Sequence, residues 1–278
     1  EESLALIKRG AVDLLLEEGL SLVEPRILDE REARADWLAR GVVGILAPYN
    51  LPLLIPTLQA GAALIGGNTV VLKPSKFTPG VGQGIAEIFD RCKLPRGVFN
   101  MVQGSGSGVG ARIATHPSLD ALLFSGSFST AMTIRRATFE RPELPTLYQC
   151  GGKGCAIVTD DCDLDRAVYE VMVGAWLTAG QRHNSTGRVI VTKGVFEKFC
   201  NQLTRRTRKV NVGYGFDPEV LFGPVISENF RTRYRRYGRT LLSRGHTPLI
   251  EAANREVSGR RGFYVDPAIY WVNWENGH

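Results

Sequence analysis

GVVGILAPYNLPLLIPTLQAGAALIGGNTVVLKPS, Gly41 to Ser75, is the stretch that decides the fold. GVVGILAP (Gly41–Pro48) is a β-rich apolar run and reads as a strand. LIPTLQAGAALIGG (Leu54–Gly67) reads as a helix ended by two glycines. NTVVLKPS (Asn68–Ser75) reads as the next strand. Strand, helix and strand in so short a span make one unit of a parallel sheet.

The alternation continues downstream. TPGVGQGIAEIFDRCKLP reads as a helix stopped near Pro95, and GVFNMVQG (Gly97–Gly104) as a strand. GVGARIATHP reads as a short helix and DALLFSGS (Asp120–Ser127) as another strand. The pattern is that of a doubly wound α/β sheet. The rhythm changes near Thr146. KGCAIVTDD reads as a buried strand, DLDRAVYEVMVGAWLTAG as an amphipathic helix with Asp163 near its start, RVIVTKGV as a strand and FEKFCNQLTRRTRKV as a helix. These segments place a domain boundary near Leu147–Gly151, giving domains 1–148 and 149–278. Upstream, the first thirty residues read as a helix, with Leu4, Ile7, Val12, Leu15 and Leu16 near one face, and a connector.

Composition bounds the function. The chain has 278 residues, 44% hydrophobic and 22% charged, as in a globular protein. No apolar run reaches the roughly 18 residues that a membrane helix needs. No signal peptide opens the chain, whose start is charged and amphipathic. It begins with Glu1, so an excerpt of a longer protein is expected. The five cysteines have irregular spacing, with neither a C-x-x-C pair nor a histidine pair at zinc spacing. That predicts reduced thiols in a cytoplasmic protein and no metal site. The net charge of +6 is local: Arg205 to Arg239 holds nine Lys/Arg against three Asp/Glu. In SENFRTRYRRYGRTLL, Phe230, Tyr234, Tyr237 and Leu241 recur at helical spacing with arginines between them. This favours a solvated helix face over a nucleic-acid surface.

Ligands of a doubly wound sheet sit at the carboxyl ends of its strands. Three such ends carry suggestive residues. PYNLP puts Asn50 in a turn between two prolines, where an amide can donate to an oxyanion; it also reads as a plain turn residue. LKPS puts Lys73 within reach of a ribose or phosphate, or on the surface. FSGS puts Gly126 and Ser127 before a helix whose N–H groups can cradle a pyrophosphate, or makes them a plain cap. GSGSGVG (Gly104–Gly110) does not spell G-x-G-x-x-G and fails as a dinucleotide fingerprint.

Taken together and in order, PYNLP, GNTVVLKPS, LPRGVFNMVQG, ALLFSGS, CGGKGCAIV, TAGQR and FGPVIS resemble the aldehyde dehydrogenase superfamily, from about Gly41 to about Ile269. PYNLP and TAGQR are most like the succinylglutamate semialdehyde dehydrogenases. The resemblance implies an aldehyde dehydrogenase-like α/β fold: a Rossmann-like parallel sheet binding NAD or NADP, then an α/β catalytic domain, with both ends short of the family's length. It implies a cysteine thiolate that attacks the aldehyde, an asparagine at the oxyanion, hydride transfer to NAD(P)+ and a glutamate that activates water. Asn50 matches the asparagine. The implied cofactor set is Pro48, Tyr49, Lys73, Ser75, Lys76, Gly126 and Ser127.

Both chemical residues are replaced. The nucleophile of G-Q-x-C falls on His183, and the glutamate of E-L-G-G-K falls on Gln149. Glutamine is no general base near neutral pH, and an imidazole adduct is a different intermediate from a thioester. The expectation is a pseudoenzyme, with His183 hydrogen-bonded in the former thiol pocket. Cys150 and Ser185 offer weak rescue. Lys76 stands where a glutamate often meets the adenine ribose; it points to solvent or favours the 2′-phosphate of NADP. Ala131 replaces a glycine and is expected to narrow the cofactor groove. The E-x-F-G-P segment would lie beyond Ile269 and is not reached. Two other readings stay open: an active NAD(P)-dependent oxidoreductase of a semialdehyde with altered chemistry, and a non-catalytic structural or interaction module. Expected partners are a small aldehyde or acid, and further copies of the chain or a larger assembly, with neither nucleic acid nor membrane.

Overall fold

The computed structural model describes residues 27–28, 31–32 and 38–272. The helix read over Leu4 to Leu16 lies outside the described residues. The chain divides after Cys150 into two compact units.

The first unit opens with a small antiparallel pair, β1 (Ile27–Leu28) and β2 (Arg31–Glu32). The alternating run follows: β3 (Val42–Leu46), α1 (Leu54–Ile65), β4 (Thr69–Lys73), α2 (Pro79–Arg91), β5 (Phe99–Met101), a π turn (Gly106–Gly110), α3 (Ala111–Ala114), β6 (Ala121–Gly126), α4 (Phe128–Ala137) and β7 (Thr146–Cys150). The sheet order is β5-β4-β3-β6-β7, and all four pairings are parallel. The strands are apolar on both sides because helices cover both faces. Val43, Ile45, Val70 and Leu72 pack with Ala60, Ala63 and Ile85 on one face. Leu46, Leu122 and Phe124 pack with Ala131, Ile134 and Leu144 on the other.

The two glycines do end α1. Gly67 has φ +77°, and the N–H groups of Gly67 and Asn68 donate to the carbonyls of Leu64 and Ala63. That is a Schellman termination, which needs the left-handed conformation glycine adopts without strain. Asn68 then stitches the strand entries together. Its Oδ1 accepts from the N–H groups of Arg40 (2.7 Å) and Gly41 (3.1 Å), and its Nδ2 donates to the Ala63 carbonyl (3.0 Å). The short helix read over GVGARIATHP resolves into the π turn plus the single turn of α3.

The second unit holds β8 (Gly154–Val158), α5 (Leu164–Trp176), β9 (Thr186–Val191), α6 (Phe196–Thr207), α7 (Glu228–Ser243), β10 (Thr247–Ile250) and β11 (Ile269–Trp271). β8 and β9 are parallel, and β10 and β11 antiparallel. Asp163 caps α5, its Oδ1 accepting from Arg166 N at 3.1 Å. Val158, Val168, Val171, Val195, Phe199 and Leu203 form the core.

Three expectations are corrected here. β8 is half-buried: Ile157 is 71% exposed, and Ile190 beside it on β9 is 59% exposed. Within the unit α5 and α6 cover only the Ala156, Val158, Val189 and Val191 side of this pair. The helix read through Gly180 ends at Trp176. In α7, Tyr234 turns inward and donates to the Asp266 carbonyl (2.5 Å), and Gly238 is buried against Tyr270. Tyr237 is 55% exposed, with Lys153 Nζ 5.2 Å from its ring centroid. A face set by 234 and 238 leaves position 237 at its border.

Candidate functional site

Parallel pairing brings the carboxyl ends of the strands to one edge. Leu46 is level with both Lys73 and Phe124, and Ser125 and Gly126 are level with Gln149 and Cys150. The edge therefore collects Pro48–Asn50, Lys73–Lys76, Gly126–Ser127 and Gln149. The chain order reverses between β3 and β6, which is the switch point where such sheets bind ligands.

Lys73 is buried, at 6% exposure. Its Nζ donates to the Pro74 carbonyl (2.7 Å) and the Gly104 carbonyl (3.4 Å). No carboxylate among the described residues pairs with it. Burial holds its ammonium below the ordinary lysine range. A surface lysine is thus excluded. Gly110 adjoins its side chain: a Cβ there would be in ordinary contact with Lys73 Cε at 3.4 Å.

Ser127 is the N-cap of α4. Its Oγ accepts from Thr130 N (3.2 Å) and bonds the hydroxyls of Ser129 (3.1 Å) and Thr130 (2.8 Å). The hydroxyl serves the helix; a positive helix end remains for an anion. A Cβ on Gly126 would strike the Phe124 ring at 2.7 Å, so that position takes no side chain without repacking. Ala131 is corrected: its methyl lies in the core with Leu46 and Ile134, not in a groove. Ser75 accepts from Phe77 N at 3.3 Å. Lys76 is exposed, its Nζ 5.1 Å from the Phe77 ring centroid, and Tyr49 meets the same ring edge-on at 6.1 Å. Asn50 Oδ1 accepts from Leu51 N at 3.0 Å, which orients the amide.

Gln149 belongs to a side-chain chain that sequence reasoning missed. Gln59 Nε2 donates to Ser125 Oγ (3.1 Å), and Ser125 Oγ donates to Gln149 Oε1 (3.1 Å). The partners lie 66 and 24 residues apart, so the packing of α1 on the sheet joins the first pair and the β6–β7 register the second. Cys150, next on β7, packs into the core beneath.

His183 lies in the second unit, in the loop after α5. The turn into that loop is left-handed: Thr178 has φ 61°, Ala179 φ 55° and Gly180 φ 66°. Non-glycine residues held there cost about 1–2 kcal/mol each. Gln181 holds the turn, donating to the Thr178 carbonyl (3.2 Å) and accepting from Ile226 N (3.0 Å). Gly152 N donates to the His183 carbonyl at 3.2 Å. The His183 side chain is corrected: its Nδ1 is buried with no hydrogen-bond partner, as is Ser185 Oγ. Among the described residues no group of His, Cys, Asp or Glu could hold a metal ion. All five cysteines are free. Burial pushes the Cys200 thiol up, which disfavours the nucleophilic thiolate there. Ala179→Gly is expected to raise stability by about 0.5–1 kcal/mol, strain relief exceeding the entropy cost of glycine. A urea denaturation curve checks it.

Comparison with known proteins agrees with this geometry. The aldehyde dehydrogenase family model matches residues 16–275. The chain is 37% identical over 231 residues to the alpha-ketoglutaric semialdehyde dehydrogenase of Bacillus subtilis (strain 168), covering 83% of this chain and 47% of that protein. It is 36% identical over 256 residues to the N-succinylglutamate 5-semialdehyde dehydrogenase of Burkholderia mallei (strain SAVP1), covering 88% and 50%. Among solved structures, the NAD+ complex of an aldehyde dehydrogenase from Bacillus cereus superposes with a TM-score of 0.79 at 31% identity, covering 84% of this chain and 47% of that one. The chain spans about half the length of the curated relatives it matches. With an α/β fold, a parallel five-stranded sheet and the motifs at its carboxyl edge, the chain belongs to the aldehyde dehydrogenase family.

Proposed function

We propose that the chain binds NAD(P) in its first unit and that its aldehyde-oxidising chemistry is impaired or lost. The observation that carries the second half is Gln149. It stands where the resemblance implies the water-activating glutamate, and its Oε1 accepts from Ser125. An amide takes up no proton near neutral pH, so residue 149 cannot remove one from water. At the implied thiol position His183 offers a ring whose Nδ1 is buried without a partner.

The nucleotide half rests on Lys73. A buried ammonium has three N–H donors, and here two carbonyls accept from it. A ribose hydroxyl supplies the missing acceptor. The pyrophosphate would meet the N-terminus of α4 at Gly126 and Ser127, while Pro48, Tyr49 and Ser75 line the same edge. Lys76 is exposed at this edge, where its charge would favour a 2′-phosphate, so the reading covers NADP as well as NAD. Bound NAD(P)+ supplies a hydride acceptor. Asn50 would donate to a carbonyl or carboxylate oxygen. The relatives named as semialdehyde dehydrogenases support a small semialdehyde, or its acid, as the second ligand. Free cysteines fit a reducing, cytoplasmic setting, and no helix among the described residues is long and apolar enough to cross a membrane. The exposed Ile157 and Ile190 support assembly with further copies of the chain.

Calorimetric titration with NAD+ and with NADP+ tests the nucleotide half. Binding with a Kd on the order of micromolar is expected; heats at the dilution level for both would leave a structural or partner-binding module. Semialdehyde turnover tests the other half. No reduction of NAD(P)+ above the uncatalysed rate is expected, and turnover that disappears in His183→Ala would overturn it.

A further inference from the structure

We propose that Gln59 and Ser125 are positioning residues for the side chain at 149, and that their hydrogen bonds are directed toward it. Ser125 is 4% exposed and lies level with Gln149 across the β6–β7 pairing. A hydroxyl has one proton to give. Gln59 Nε2 donates to Ser125 Oγ at 3.1 Å, so that proton goes to Gln149 Oε1, also at 3.1 Å.

The direction follows from what is left over. In this wiring the group without a partner is one buried carbonyl oxygen, Gln59 Oε1. In the reversed wiring Gln59 Oε1 would accept from Ser125, and its NH2, with two donors, would occupy that same buried and unpartnered place. Orphaned N–H groups are rarer in proteins than under-satisfied carbonyls. The chain therefore runs from Gln59 through Ser125 to residue 149, and whatever stands at 149 must accept. An amide carbonyl accepts; a carboxylate accepts more strongly, through a charge-assisted bond. The support for an acid at this position is thus intact although the acid is gone.

The test introduces a reporter carboxyl through Gln149→Glu in the whole chain and follows its titration by 13C NMR. The signal is identified as the one absent from the unsubstituted protein. Position 149 is exposed, so the substitution is compatible with folding. If Ser125 donates to this carboxyl, adding Ser125→Ala raises its midpoint by about one pH unit, a tenfold change in proton affinity. A purely structural role for Ser125 would lower the melting temperature and leave the midpoint in place, and that result overturns the proposal. A lowered midpoint overturns it too. Should Ser125→Ala fail to fold, Gln59→Leu in the Gln149→Glu background is expected to shift the midpoint upward by about threefold in proton affinity, by freeing the Ser125 hydroxyl from its imposed direction; an unmoved midpoint overturns the proposal there as well. The readout involves neither nucleotide nor turnover, so its failure leaves the nucleotide-binding reading untouched, and the converse holds.

Discussion

Phe199→Ala is expected to destabilise the second unit by about 3–5 kcal/mol. Phe199 is 1% exposed and stands on α6 among Val158, Val168, Val171, Val195 and Leu203. The unit's main core is one layer deep: a two-stranded parallel pair with α5 and α6 on one side. A cavity opened there has no second layer to collapse onto it, which puts the cost toward the upper end for a phenylalanine truncation. Trp176 packs against the same cluster, so tryptophan fluorescence during urea denaturation reports the change. Phe216, 87% exposed, is the control: Phe216→Ala should shift stability by less than about 0.5 kcal/mol. Equal effects of the two substitutions would mean that Phe199 does not stand in the core of the second unit.

Lys73→Met separates function from stability. The variant is expected to lose at least about tenfold in affinity for NAD+ and NADP+, or 1.4 kcal/mol, because the ribose loses its cationic donor. The same variant should be more stable than the parent at neutral pH, by about 1 kcal/mol. Lys73 is buried against carbonyls, without a carboxylate, and desolvation lowers its pKa. The sign follows from proton binding. Between the lowered folded value and the ordinary lysine value, the unfolded chain holds more protons, so the parent gains stability as pH rises through that window. Below the window the desolvation cost is present in full. The advantage of Lys73→Met should therefore be largest near neutrality, shrink as pH rises through that window, and level off above the ordinary lysine value. Denaturation midpoints at several pH values measure the stability arm, and calorimetry the binding arm. A variant that binds nucleotide as tightly as the parent would remove Lys73 from the nucleotide site.

The edge of the first unit was legible because its geometry follows from local pattern. Each strand of the alternating run is short and apolar, and parallel pairing delivers every strand's carboxyl end to the same side. Placing Asn50, Lys73, Ser127 and Gln149 together thus needed only the order of elements. What each side chain does there was less legible. Ser127 read as a phosphate residue or a cap, and the cap is what its hydroxyl forms. Lys73 read as a ribose residue or a surface lysine, and burial removes the second option. Ala131 read as an obstruction and proved to be core, because which side of α4 faces inward depends on where β6 lies.

The sequence by itself determined the kind of fold, and its resemblance singled out Gln149 and His183 as the positions to examine. Hydrophobic period and glycine punctuation act over a few residues, and so do the motifs around Gln149 and His183. Tertiary structure alone decided three things. It turned the chain left-handed at Thr178 and Ala179, beside a Gln181 whose amide oxygen accepts from Ile226 N, 45 residues away. It left one side of β8 and β9 exposed, since burial depends on which layers exist and not on how apolar a strand is. And it joined Gln59, Ser125 and Gln149, because a hydrogen bond between distant residues forms only when helix packing and sheet register bring donor and acceptor within about 3 Å.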